Sequence, residues 1–401
     1  MKKLMLMLPM LHQGGFERVA VATARLLEKD FDVTLCIFSD RNIHYDVSGL
    51  KVVNLDVPSR KGKAAKILNV VKRVSRARRL KKKLGTDITY SFGNTANPVN
   101  VLSKAGDKVI TGLRCGTDLE TKAIVRLCGL GSDLVLSCSR EIQALLEKDF
   151  GCRKTGYIYN PLDHAEILAS AGNIASAGSS KELQDRFMII TMGRDDRIKA
   201  HWHMIKAFAL VSTAHPEARL KIMGAGKYTQ YRELAEKLGI AEKVEFTGAV
   251  KNPFPEVAQA DLYVLPSNRE GFPNALVEAM ALGKPVIATD CRTGPREILL
   301  SDKQLNELLE QAPYGTSTDR VIEGEYGVLI PDMSDVINTD PAMIEDGERR
   351  LADAIISMME DADKRKKYGG RAAQRVLEWS PENYRKDLVD ILNKVMEDQK
   401  Q

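Results

Sequence analysis

Short apolar segments alternate with helix-patterned ones twice along these 401 residues, and that double alternation excludes most folds. Parallel strands buried on both faces need helical crossovers, so each series predicts one parallel sheet covered by helices on both sides. The first series places strands near 4–8, 32–38, 52–55, 88–92, 109–113, 133–138 and 157–159, with helices that include 16–29 and 140–150. The second runs through 187–194, 220–223, 244–246, 262–265, 286–289 and 328–330, with helices at 200–213, 230–238 and 275–282, and helical patterns dominate 346–396. The Ala-, Ser- and Gly-rich stretch 164–185 reads as a linker. The expected organisation is therefore an N-terminal domain over 1–163 and a second domain over 186–380, with Ser380 and Pro381 opening a last helix.

Composition excludes several classes. No apolar run approaches the roughly 18 residues of a membrane span, and the apolar start 4–8 runs into a glycine loop without a cleavage site, so it reads as a strand. Six cysteines without C-x-x-C spacing read as reduced thiols and a cytoplasmic location. The pair His201 and His203 lacks a third ligand, and no metal is expected. Asp30-Phe31-Asp32 reads as a helix–strand corner, not a metal motif.

Charge is uneven: residues 1–160 hold 28 Lys and Arg against 15 Asp and Glu, and the remainder is net acidic. Twelve cations and no acid lie between Arg60 and Lys83, where Ile67, Val70, Val71, Val74 and Leu80 recur near helical spacing. This basic amphipathic helix over 60–83 fits an anionic membrane surface; no stacking platform or motif for nucleic acid accompanies it.

Open parallel sheets bind ligands beyond the carboxyl ends of their strands. Arg194 and Lys199 follow the first strand of the second series and could converge on a diphosphate. Gly224 and Gly226 could admit close backbone approach, and Glu270 and Glu278 flank a Gly271-Phe272-Pro273 turn opening a helix, where free N–H groups attract phosphate and the carboxylates can hold hydroxyls.

Gly14-Gly15-Phe16-Glu17-Arg18, Tyr159-Asn160-Pro161, Gly193-Arg194 through Lys199, Gly224-Ala225-Gly226, Phe246-Thr247-Gly248, Glu270-Gly271-Phe272-Pro273-Asn274 through Glu278, and Gly294-Pro295-Arg296-Glu297-Ile298 occur in that order. Over nearly its full length the chain resembles the family 4 glycosyltransferases. The resemblance implies an α/β GT-B fold of two Rossmann-like, doubly wound domains facing a central cleft, with the C-terminal helix, 381–401, packing back on the N-terminal domain. It further implies retaining transfer of a hexosyl or N-acetylhexosaminyl group from a nucleoside diphosphate sugar, a UDP-sugar, without cofactor or metal. The acceptor would be a polyprenyl-diphosphate-linked glycan at the inner face of the cell membrane.

In that scheme Arg194 and Lys199 neutralise the diphosphate, Glu270 holds sugar hydroxyls and Glu278 the ribose. Backbone at Gly271, Phe272, Asn274 and Ala275 contacts sugar or phosphate, and Ala249 and Val250 meet the base. The Gly14-Gly15 loop closes over the donor phosphates. His12 and Arg114 are acceptor-side candidates, Arg114 standing where many relatives carry a histidine. Segment 300–324 is longer than the family pattern and is expected as a helix and loop at the cleft rim. A same-fold nucleotide-sugar 2-epimerase and a catalytically silent partner of another transferase are the competing readings.

Overall fold

The computed structural model describes residues 1–397 except 13, 60–61 and 173–185, so most of the predicted linker, two cations of the basic stretch and the last four residues lie outside the described residues. The chain divides into two compact units, Met1–Pro161 with Pro381–Gln401, and Leu162–Ser380.

The first unit contains β1 (Lys2–Leu8), α1 (Gly15–Leu27), β2 (Phe31–Ile37), β3 (Lys51–Asn54), α2 (Lys63–Leu84), β4 (Ile88–Phe92), α3 (Asn97–Leu102), β5 (Lys108–Leu113), α4 (Lys122–Gly131), β6 (Leu134–Ser137), α5 (Arg140–Phe150) and β7 (Thr155–Tyr157). Its seven strands are all parallel in the order β3-β2-β1-β4-β5-β6-β7. Leu4 through Leu8 are buried without a break, as a central strand covered on both faces requires. The C-terminal helix Pro381–Glu397 completes this core: Tyr384, Leu388, Leu392 and Val395 join the α1 side of the sheet. Arg385 donates to both oxygens of Asp30 at 2.8 and 2.7 Å, so the acid of the Asp-Phe-Asp corner anchors that helix.

The core-facing stripe of α2 is largely polar. Asn69, Arg73, Ala77 and Lys81 are buried, while Ile67, Leu68 and Val71 are 60–66% exposed. Buried polar groups need partners, and these have them. Asn69 donates to the Pro58 carbonyl and Arg73 to that of Val57 while lying over the Phe38 ring, and Lys81 pairs with Asp107 at 2.9 Å and Asn100 Oδ1 at 2.7 Å.

The second unit contains α6 (His164–Ala171), β8 (Phe187–Met192), α7 (His201–Ala214), β9 (Ala218–Met223), α8 (Thr229–Lys237), β10 (Val244–Gly248), α9 (Phe254–Gln259), β11 (Leu262–Leu265), α10 (Asn274–Ala281), β12 (Val286–Thr289), α11 (Pro295–Leu299), α12 (Asp302–Gln311), β13 (Ile322–Glu323), β14 (Val328–Ile330), α13 (Asp346–Glu360) and α14 (Ala362–Arg375); the C-terminal helix is α15. The sheet order is β10-β9-β8-β11-β12-β14-β13, parallel except for the edge strand β13. Part of the expected linker is thus α6, capped by Asp163 through the Glu166 N–H at 2.8 Å.

Segment 300–324 folds as α12, a loop and β13. Its anchor is Arg296, fully buried, which holds Asp290 at 2.8 and 2.6 Å and donates to the Ala312 and Thr316 carbonyls. Among the described residues no helix is long and apolar enough to cross a membrane.

Candidate active site

In both sheets the strand order reverses beside the first strand, between β1 and β4 and between β8 and β11, and loops leaving adjacent strands in opposite directions open a crevice there. In the second unit the two loops are 193–199 and 266–273. They bring Lys199 and Glu270 together: Nζ lies 2.7 Å from Oε1, with the side chains 21% and 9% exposed. The backbone sets this register, since the Asn268 N–H donates to the Ile198 carbonyl at 2.9 Å.

Arg194 shares the first loop. Its carbonyl accepts from His201 Nε2 at 3.1 Å, while its guanidinium is exposed and 3.8 Å from Asp196. Burial drives the His201 imidazole down to about 4, which keeps it neutral. Glu278 is buried on the second turn of α10, which begins at Asn274 with Pro273 as its cap, one residue later than a proline at the first helical position would give. Burial, then the Glu270 and Glu278 carboxylates, push the Tyr263 phenol well up, so both acids act on one point of β11. Phe272 is buried with its ring edge-on to Trp379 at 5.1 Å. Gly271 and Ala275 flank it, and Ala249 and Val250 follow the end of β10.

Gly224 and Gly226 serve neighbouring backbone. At φ of 148° and 151°, a Cβ on either would overlap Gly193 or Asp195, and their loop bonds to that of β8 through Gly193 N–H to Met223 O and Asp195 N–H to Ala225 O at 2.8 and 2.9 Å. Both glycines thus admit the loop carrying Arg194 close against their backbone.

Sequence reasoning missed three residues here. Thr293 donates its hydroxyl to the Glu270 carbonyl. Asp332, at the end of β14, accepts from Asn268 Nδ2 at 3.3 Å, and burial pushes its carboxyl up to about 6. Arg269 lies 3.3 Å from Asp335, which also pairs with Arg197 at 3.5 Å. Their only sequence signal is position after a strand.

In the first unit, Gly14 caps α1 in extended backbone, which turns its own N–H and C=O to one side. The Tyr45 hydroxyl bridges both, accepting at 2.9 Å and donating at 2.6 Å. The Gly14 N–H is therefore committed to Tyr45, and Gly15 begins the helix. His12 Nε2 lies 3.0 Å from the Arg41 carbonyl. Arg114 is buried, bonded to Tyr90 at 3.2 Å and to Asn160, and Asp118 accepts its backbone N–H instead of its side chain.

His203, Glu345 and Glu348 place ligand atoms within 4.8 Å of one another. Both His203 nitrogens already face protein acceptors at 2.8 Å, Glu348 and the Ser334 carbonyl, and Lys206 sits 3.8 Å from Glu348, so the cluster fits a core ion pair better than a cation site.

These paired sheets are the α/β GT-B fold, and solved structures share it. Anabaena HepE in complex with UDP and glucose superposes with a TM-score of 0.75 at 18% identity, covering 98% of this chain and all of that one. Sucrose-phosphate synthase from Thermosynechococcus elongatus gives 0.75 at 15%, covering 98% and 99%.

The family model for glycosyl transferases group 1 matches residues 175–313. An uncharacterised glycosyltransferase of Methanocaldococcus jannaschii is 31% identical over 245 residues, 59% of this chain and 58% of its own length, so the match spans little more than half of that relative. The N-acetylgalactosamine-N,N'-diacetylbacillosaminyl-diphospho-undecaprenol 4-alpha-N-acetylgalactosaminyltransferase of Campylobacter jejuni is 25% identical over 98% of this chain and 100% of its own. Together these likenesses support a glycosyltransferase family for this chain.

Proposed function

We propose that the chain is a retaining, metal-independent family 4 glycosyltransferase that moves a hexosyl or N-acetylhexosaminyl group from a UDP-sugar to a lipid-linked glycan. The observation that carries this reading is the Lys199–Glu270 pair at the β8/β11 crevice, a cation for a diphosphate beside an acid for sugar hydroxyls. Support also comes from a relative whose name specifies a diphospho-undecaprenol-linked acceptor and a neighbour that binds UDP.

The bond from the anomeric carbon to the diphosphate breaks, the leaving group keeps the electron pair, and Lys199 with Arg194 stabilises the charge that gathers there. The acceptor hydroxyl adds from the same side and gives its proton to a donor phosphate oxygen, so no protein base is required. Glu270 orients the sugar, Glu278 the ribose, and the first N–H groups of α10 meet phosphate. Arg114 would have to give up Tyr90 or Asn160 to reach an acceptor phosphate, so His12 is the better placed acceptor-side candidate.

We place the protein in the cytoplasm, peripheral on the inner membrane face. The α2 surface supports this reading: exposed Ile67, Leu68 and Val71 lie near its start, on the edge where strand ends and loops collect, beside exposed Lys66 and Lys72, with exposed Arg78 and Arg79 further along the helix.

The test is a panel of nucleotide sugars read by thermal shift and by donor hydrolysis without acceptor. A uridine nucleotide should stabilise the chain and be hydrolysed slowly. Lys199→Ala and Glu270→Ala should each lower kcat/KM by about 10²- to 10³-fold at an unchanged melting temperature. Release of an epimerised nucleotide sugar from donor alone would overturn transfer.

A further inference from the structure

We propose that Thr293 is a positioning residue for Glu270, holding its carboxylate at the height where it reads the transferred sugar. This rests on the function proposed above and adds a residue to its machinery.

Thr293 has φ of 72°, a conformation that costs a β-branched residue more than almost any other, and it is fully buried. Such strain persists only where surroundings over-determine it, and here they do. The Thr293 hydroxyl donates to the Glu270 carbonyl, and the Arg292 carbonyl accepts from the Glu270 N–H at 3.4 Å. Arg269 and Arg292 form an isolated parallel bridge, and a Cβ on Gly294 would stand 2.5 Å from the Gly271 oxygen. The tripeptide 292–294 thus grips residues 269–271 along one side, fixing both peptide groups of Glu270. Lys199, the partner of Glu270, comes from a different loop and is untouched by this grip.

The division of labour yields a specific signature. Losing the hydroxyl should loosen Glu270 while leaving the cations that hold the diphosphate, so affinity for the sugar moiety falls and affinity for the bare nucleoside diphosphate does not.

Titration calorimetry on the full chain with UDP and with the UDP-sugar found active should show unchanged UDP binding in Thr293→Val. Nucleotide-sugar binding and kcat/KM should fall about five- to tenfold. Thr293→Ser should restore both. Thr293→Gly, which relieves the backbone strain, should melt at or above the wild-type temperature yet lose activity as Thr293→Val does. A merely structural residue would lose stability and activity together. Full sugar affinity in Thr293→Val and Thr293→Gly, or equal loss of UDP and UDP-sugar binding, overturns the assignment. A wild-type chain that binds neither ligand overturns the parent function instead.

Discussion

Single residues at the crevice carry opposing proton linkages. Asp332 has its carboxyl raised to about 6 from 3.8, so between about pH 4 and 6 the folded chain holds a proton that the unfolded chain has released. Its contribution favours folding at the acid end and fades as pH rises through 6. His201, lowered to about 4 from 6.5, does the reverse: its contribution is complete above about 6.5 and is lost as pH falls toward 4. Asp332→Asn should therefore raise stability at pH 7 by on the order of 2 kcal/mol, and this advantage should vanish toward pH 4, making the acid fall steeper than in wild type. Urea midpoints at both pH values read the difference. None of these environments was visible in the residue string. Lys199 and Glu270 were legible because charged types follow strands at a fold's ligand edge, whereas the positive φ of Thr293 and the burial of Asp332 depend on a neighbouring loop 20 or more residues away.

At the scale of elements, α2 shows what periodicity leaves open. Apolar spacing marks an amphipathic basic helix without naming its inward stripe, which is Asn69, Arg73, Ala77 and Lys81. Long basic side chains can lay their stems on a core and deliver their heads to carbonyls, and the loop 55–58 supplies those carbonyls. A polarity pattern counts residue types and cannot count such partners. The consequence is an exposed apolar patch beside cations, which separates two contributions to lipid binding. Ile67→Ser, Leu68→Ser and Val71→Ser together should weaken co-sedimentation with anionic vesicles by tenfold or more at any salt, since these side chains are exposed and their loss leaves the fold intact. Replacing Lys72, Arg78 and Lys82 with Ser should weaken it mainly at low salt, by about 1 kcal/mol per cation. Binding unchanged in both variants would remove the lipid assignment. The length of segment 300–324 is plain in the sequence, but its anchor is Arg296, whose buried pairing with Asp290 no spacing announces.

For the whole molecule, the alternating pattern gave two sheets and nearly every strand, because parallel strands buried on both faces leave little ambiguity. The return of the last helix came only from family likeness, since an amphipathic helix does not name the sheet it covers. Its packing is specific: the Tyr384 hydroxyl meets Thr23 Oγ1 at 2.8 Å, and Thr23 in turn donates to the Val19 carbonyl at 2.7 Å. Tyr384→Ala should cost about 3–5 kcal/mol and act on the first unit alone, splitting the calorimetric transition into an early and an unshifted late component. A single transition shifted as a whole would show that the units melt together.

The same helix fixes an order of events during synthesis. The second unit is one continuous stretch, but the sheet made before it must wait, with a face of its interior open, for a helix made only after that whole stretch. Chaperone dependence of the nascent chain should accordingly centre on the first unit and be relieved once that helix has emerged.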